Sequence, residues 1–153
     1  MAFDFEKLLK RYVWDEEKTP YFTTADKLNR RQAHYEAVAY GIFMSVLFGV
    51  VSLASMGGAG GHAGGDGPAV FGFSFICAAV IFAVTKHYYA SLWLGIAPVA
   101  TVGYFLIYGF LPSWALIDKG VILGFVVLWA VYSMRIITIG RRFEDMPEPP
   151  PKT

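Results

Sequence analysis

Four apolar stretches, each close to the length needed to cross a bilayer, constrain this chain more than any other feature. They run over approximately 35–56, 68–85, 90–111 and 120–139. A spanning helix needs about 20 predominantly apolar residues, because it rises about 1.5 Å per residue across a hydrocarbon core about 30 Å thick. In that medium each backbone N–H and C=O has to be satisfied internally, which selects helices. The expected fold is an all-α polytopic membrane protein with four transmembrane helices.

Threaded up and down, the four spans place twelve of the thirteen Lys and Arg on one face. These are Lys7, Lys10, Arg11, Lys18, Lys27, Arg30, Arg31, Lys86, Arg135, Arg141, Arg142 and Lys152; only Lys119 falls opposite. Cytoplasmic segments retain Lys and Arg, and this excess sets orientation. Both N- and C-termini are therefore expected in the cytoplasm of a bacterial inner (plasma) membrane, with an organelle membrane as the alternative. The first thirty residues carry no apolar run before a small-residue cleavage site, so the first span is expected to act as its own insertion signal.

Only 16% of the 153 residues are charged, against about 25% in soluble domains. A net charge of +1 leaves no basic face large enough to track a phosphate backbone, so no nucleic-acid partner is expected. The single cysteine, Cys77, excludes an internal disulfide and a multi-cysteine metal site. Within an apolar stretch its thiol is expected to be buried as a small hydrophobe.

Three regions follow: an N-terminal amphipathic arm (1–23), the transmembrane domain (24–140) and a Pro-rich tail (141–153). In the arm, Phe5, Leu8, Leu9 and Tyr12 recur at helical spacing opposite Glu6, Lys7, Lys10 and Arg11. Such a short amphipathic helix suits the headgroup region or a partner subunit. Pro20 ends it. Thr23 and Asp26 resemble a capping box, which predicts that the first long helix starts there and enters the membrane near Tyr35. Between the first and second spans, 57–67 is rich in glycine and reads as a flexible external link.

Ionisable residues deep in a bilayer mark ion or proton pathways, and here Glu36, Lys86, Asp118, Lys119 and Arg135 all fall within a turn or two of a span's end. Glu36 is expected to pair with Arg30, Arg31 or Lys86, and Arg135 to snorkel outward with Arg141 and Arg142. Trp129, in mid-span, is expected to pack against a helix or lipid. His34 and His87 map to the same ends of neighbouring helices and are the candidate axial ligands for a haem or chlorophyll-type pigment. His62 and Asp66, on flexible backbone, are too few for a metal site.

Small residues let membrane helices approach closely. Gly41, Ser45 and Gly49 recur every four residues in the first span, Gly120 and Gly124 in the fourth, and Gly95 and Gly103 share a face of the third. With no catalytic constellation to assemble, the functional expectation is a non-catalytic accessory subunit of a larger integral-membrane complex, a respiratory or photosynthetic electron-transfer complex. Its partners would be membrane lipids and other integral-membrane subunits. It could hold a quinone or pigment nearby without a cofactor of its own. The alternatives are a small oligomeric transporter or channel, with Pro98, Gly95 and Thr101 as a broken-helix site, and a haem- or pigment-binding membrane protein.

Overall fold

The computed structural model describes residues 23–57, 67–110 and 113–148. The arm residues Phe5, Leu8, Leu9 and Tyr12, and the loop residues His62 and Asp66, lie outside them. The described chain is all-helical, with four helices: α1 (Arg30–Met56), α2 (Gly67–Thr85), α3 (Tyr88–Tyr108) and α4 (Leu116–Arg142). Single 3-10 turns precede α1 (Ala25–Lys27) and follow α4 (Phe143–Asp145). α1, α3 and α4 are long and apolar enough to cross a membrane, and α2 contributes a shorter apolar segment, Ala69–Thr85.

The first helix begins later than the Thr23–Asp26 pattern predicts. Asn29 is the N-cap: its side chain accepts from the Gln32 N–H at 2.9 Å, and Gln32 Oε1 accepts from the Asn29 N–H at 3.1 Å. This reciprocal pair satisfies two of the N–H groups that a helix start leaves open. The stretch before it folds back as a 3-10 turn, which allows Leu28 to be wholly buried. α1 accordingly has 27 residues.

α2 ends at Lys86, which adopts φ +56°, a left-handed conformation that costs a non-glycine residue about 1 kcal/mol. The conformation lets the Lys86 N–H donate to the Phe82 carbonyl at 2.8 Å. Its Nζ folds back to donate to the carbonyls of Ala83 (2.5 Å) and Val84 (3.2 Å), so the side chain caps its own helix. α3 carries Pro98 in its interior, buried, and ends at Gly109 with φ +75°. α4 opens with Asp118 accepting from the Ala115 N–H at 3.0 Å.

The helices alternate in direction, so the start of α1, the α2–α3 turn and the end of α4 share one end of the bundle. There the Arg30 N–H donates to the Pro147 carbonyl at 3.0 Å and its guanidinium lies 3.8 Å from Glu148. Arg142 pairs with Asp26, and Lys86 Nζ lies 5.9 Å from the Phe143 ring centre. Met146, beyond α4, is buried in the same layer.

Glycines set how closely the helices approach. A Cβ on Gly41 would fall 2.8 Å from the Ala83 methyl and 3.0 Å from the Ala79 carbonyl oxygen; one on Gly72 would meet Ser52 Oγ at 2.3 Å. These two seat α1 and α2 on each other. Gly140 against Ser91 and Gly95 against Ile137 do the same for α4 and α3. The core between the pairs is aromatic, with Phe48 stacked on Phe75 at 4.4 Å and Trp93 5.8 Å beyond. Cys77 is exposed on α2, contrary to the buried thiol expected from its apolar surroundings.

Two outcomes follow from these contacts. Gly41→Ala should cost about 1–3 kcal/mol by overpacking against a backbone oxygen that cannot turn aside. Gly49→Ala, where an added Cβ meets nothing within 4 Å, should be neutral or stabilising by up to about 1 kcal/mol, because alanine is the better helix former. Thermal unfolding in one detergent compares them.

Burial pushes the Lys86 ammonium below its ordinary value, because the charged form loses more hydration in the folded chain than in the unfolded one. The residue's contribution is then complete above the unfolded value of about 10.4 and is lost as pH falls through the lowered folded value. Stability should rise with pH across that alkaline window, and Lys86→Met should flatten the rise in the same unfolding measurement.

Candidate functional site

The buried polar groups gather between α1 and α4, near the end of the bundle that holds the start of α1 and the end of α4. Glu36, in the second turn of α1, is 2% exposed. Arg135 Nε donates to its Oε1 at 2.5 Å and Nη2 to its Oε2 at 2.9 Å, a fork-on-fork geometry that holds both side chains in register. Tyr132, one turn earlier on α4, donates its hydroxyl to the same Oε1 at 3.0 Å. Nη1 of Arg135 donates to the Thr23 carbonyl, which ties the lead-in of α1 to α4.

One turn deeper, Trp129 Nε1 donates to the Tyr40 hydroxyl at 3.1 Å, and that hydroxyl shares a hydrogen bond with Ser133 Oγ at 2.9 Å. Tyr40, Ser133 and Trp129 are all at most 6% exposed. Two polar layers thus join α1 to α4: Glu36 with Tyr132 and Arg135, and, four residues further along α1, Tyr40 with Trp129 and Ser133. Every one of these polar groups has a partner inside the network.

The pairing differs from the sequence expectation in one respect. Glu36 is at the interface end of its helix, as expected, but its partner is Arg135 rather than Arg30, Arg31 or Lys86. Arg135 turns inward instead of snorkelling with Arg141 and Arg142. Trp129 packs against helices, its ring 6.2 Å from Phe48 and 6.3 Å from Phe125, and its N–H is satisfied within the chain.

Beside the network lies a groove of about 360 Å³ between α1 and α4, lined by Ala39, Tyr40, Phe43, Phe125, Leu128, Trp129 and Tyr132. Its lining is almost wholly apolar, since the Tyr and Trp polar atoms point into the network. It opens sideways onto exposed Phe43, Phe125 and Leu128.

His34 and His87 are both exposed. The His34 ring meets Tyr35 at 5.9 Å and the His87 ring meets Tyr89 at 5.5 Å, each on its own stretch of chain. Among the described residues no group of three His, Cys, Asp or Glu is placed to hold a metal.

Of the small residues singled out by spacing, Gly41 lies in a helix contact and Ser45 is half-buried. Gly49, Gly120 and Gly124 open onto free space. Gly72 and Gly140 do pack closely, yet neither has a small residue four positions away that would have drawn attention to it with the spacing test applied to α1. No family model, curated protein or solved structure matches the chain.

Breaking the ion pair should be costly, because an uncompensated charge would remain in an apolar seam. Arg135→Met is expected to lose about 3–5 kcal/mol, whereas the double change Glu36→Leu with Arg135→Met should recover most of it. Unfolding of both variants in detergent decides whether the pair acts as a unit.

Proposed function

We propose that this protein is a non-catalytic accessory subunit of a larger integral-membrane complex of the electron-transferring kind. In this reading it crosses a bacterial inner membrane four times with both ends in the cytoplasm. α2 serves as the fourth span in this reading, supported by its apolar segment Ala69–Thr85 and its packing against α1 through Gly41 and Gly72.

The observation that carries the proposal is the outer face of α4. Leu116, Ile117, Val121, Leu128, Val131 and Met134 are each at least 63% exposed. Gly120 and Gly124 on this helix leave free space where a Cβ would stand. Gly49 offers similar space on α1. A second helix could approach these positions closely, with van der Waals packing as the driving force. The long apolar windows of α1, α3 and α4 are only 28%, 22% and 22% buried within the chain, so most of their surface is left for lipid or other subunits. The polar network, in contrast, is fully used in holding the chain together, which fits a structural role for its charges.

Gentle solubilisation of native membranes followed by a native gel tests the proposal. The protein should migrate in an assembly well above its own 16.9 kDa, and mass spectrometry of that band should identify the partner subunits. Gly120→Leu combined with Gly124→Leu should release it from the assembly. Migration only as the free chain would sink the reading.

A further inference from the structure

We infer that the groove between α1 and α4 is a binding site for one acyl chain of an anionic glycerophospholipid, whose head group pairs with Arg31. The inference rests on the reading that the helices lie in a bilayer. Its starting point is a row on α1: Arg31, Tyr35, Ala39 and Phe43 stand four residues apart and therefore share one face. The last two line the groove. The first has its guanidinium 6.0 Å from the centroid of the Tyr35 ring, the next residue of the row. Arg31 lies eight residues from Ala39, about 12 Å along the helix. A lipid with its chain against Ala39 and Phe43 would carry its phosphate up this row to the guanidinium.

Charge accounting selects an anionic head. Arg30, Arg135 and Arg142 each have a carboxylate within ion-pair distance. Among the described residues Arg31 has none; its partner is the Tyr35 ring. The nearby carboxylate of Glu36 is neutralised by the forked Arg135 contact and by Tyr132, so it does not oppose a phosphate at Arg31.

The groove's shape and lining select a hydrocarbon chain over the other occupants. At about 360 Å³ it falls within the range of small-ligand pockets. A partner helix, about 10 Å across with its side chains, does not enter a concavity of that size. A quinone ring would need hydrogen bonds for its carbonyls, but the Tyr40, Tyr132 and Trp129 donors beside the groove are committed to the Glu36 and Ser133 layers. What remains is a rim of exposed Phe43, Phe125 and Leu128 over a floor of aromatic rings, against which an acyl chain gains contact on several sides.

The test uses the full-length purified protein in nanodiscs of phosphatidylcholine containing a minor fraction of phosphatidylglycerol, with the acyl chains of one lipid or the other brominated to quench tryptophan. The difference between wild type and Trp129→Phe isolates the Trp129 signal. Brominated phosphatidylglycerol should quench Trp129 at a mole fraction about fivefold lower than brominated phosphatidylcholine, the selectivity that one basic residue near the surface provides. Arg31→Gln should abolish that preference. Ala39→Phe, which fills the groove, should remove Trp129 quenching by both lipids, while Val46→Phe, on an exposed part of α1, should leave it unchanged. Equal quenching by the two lipids in wild type, or a preference that survives Arg31→Gln, overturns the inference. Quenching that persists in Trp129→Phe reports insertion through the other tryptophans; its complete absence would overturn the membrane reading itself.

Discussion

The Glu36–Arg135 pair is the constraint around which the rest of the bundle is arranged. Two charges removed from water recover their desolvation cost only with near-ideal geometry and further hydrogen bonds. The chain supplies both: a forked contact with each carboxylate oxygen engaged, the Tyr132 hydroxyl on the acid, and the Thr23 carbonyl on the base. Meeting these demands fixes the rotation of α1 and α4 about their axes and their relative depth. It also fixes the path of the chain entering α1, because Thr23 has to reach Arg135. The Arg30–Glu148 and Arg142–Asp26 contacts then close the same end of the bundle. Exposed pairs of this kind contribute little individually. Their effect here is to order a layer in which Leu28 and Met146 are buried.

Much of this fold was legible in the hydropathy of the sequence. The expected spans 68–85 and 90–111 agree with Gly67–Thr85 and Tyr88–Tyr108 to within three residues at each end. For α1 and α4 the apolar stretch marks the part suited to hydrocarbon, and the helix runs on beyond it: to Arg30 at the start of α1, and to Leu116 and Arg142 in α4. Hydropathy sees the solvent, whereas helix ends are set by capping and by local packing. The start of α1 illustrates this. Two capping-box patterns compete within ten residues, and Asn29 with Gln32 prevails because it leaves Leu28 free to enter the core.

The partner of Glu36 was less legible, for a physical reason. Residues near in sequence, such as Arg30 and Arg31, compete for attention with a base 99 positions away. Depth is the signal that identifies the pair. Glu36 stands six residues inside the first residue of α1 and Arg135 seven inside the last residue of α4. In antiparallel helices these offsets place both about 10 Å from the same end. Snorkelling requires a side chain to reach water past lipid, and a base with a carboxylate at its own depth has a nearer partner. The small-residue pattern is legible in another way: recurrence every four residues identifies a smooth face, but not whether this chain or another covers it. Gly41 is covered from within; Gly120 and Gly124 are not.

The groove between α1 and α4 follows from the difference between the two kinds of helix contact in this bundle. α1 with α2, and α3 with α4, meet through glycines, where the backbones themselves come together. α1 and α4 meet through Arg, Tyr and Trp, whose length sets a wide separation. The long side chains fill the seam where their polar ends meet, at Glu36 and Tyr40, and leave it open to the side. Closing the seam would require shorter residues at 129, 132 and 135, and these could no longer reach Glu36 and Tyr40. The polar layers that fasten α4 to α1 therefore hold the two helices apart, and the apolar concavity beside them is a consequence of how that fastening is made.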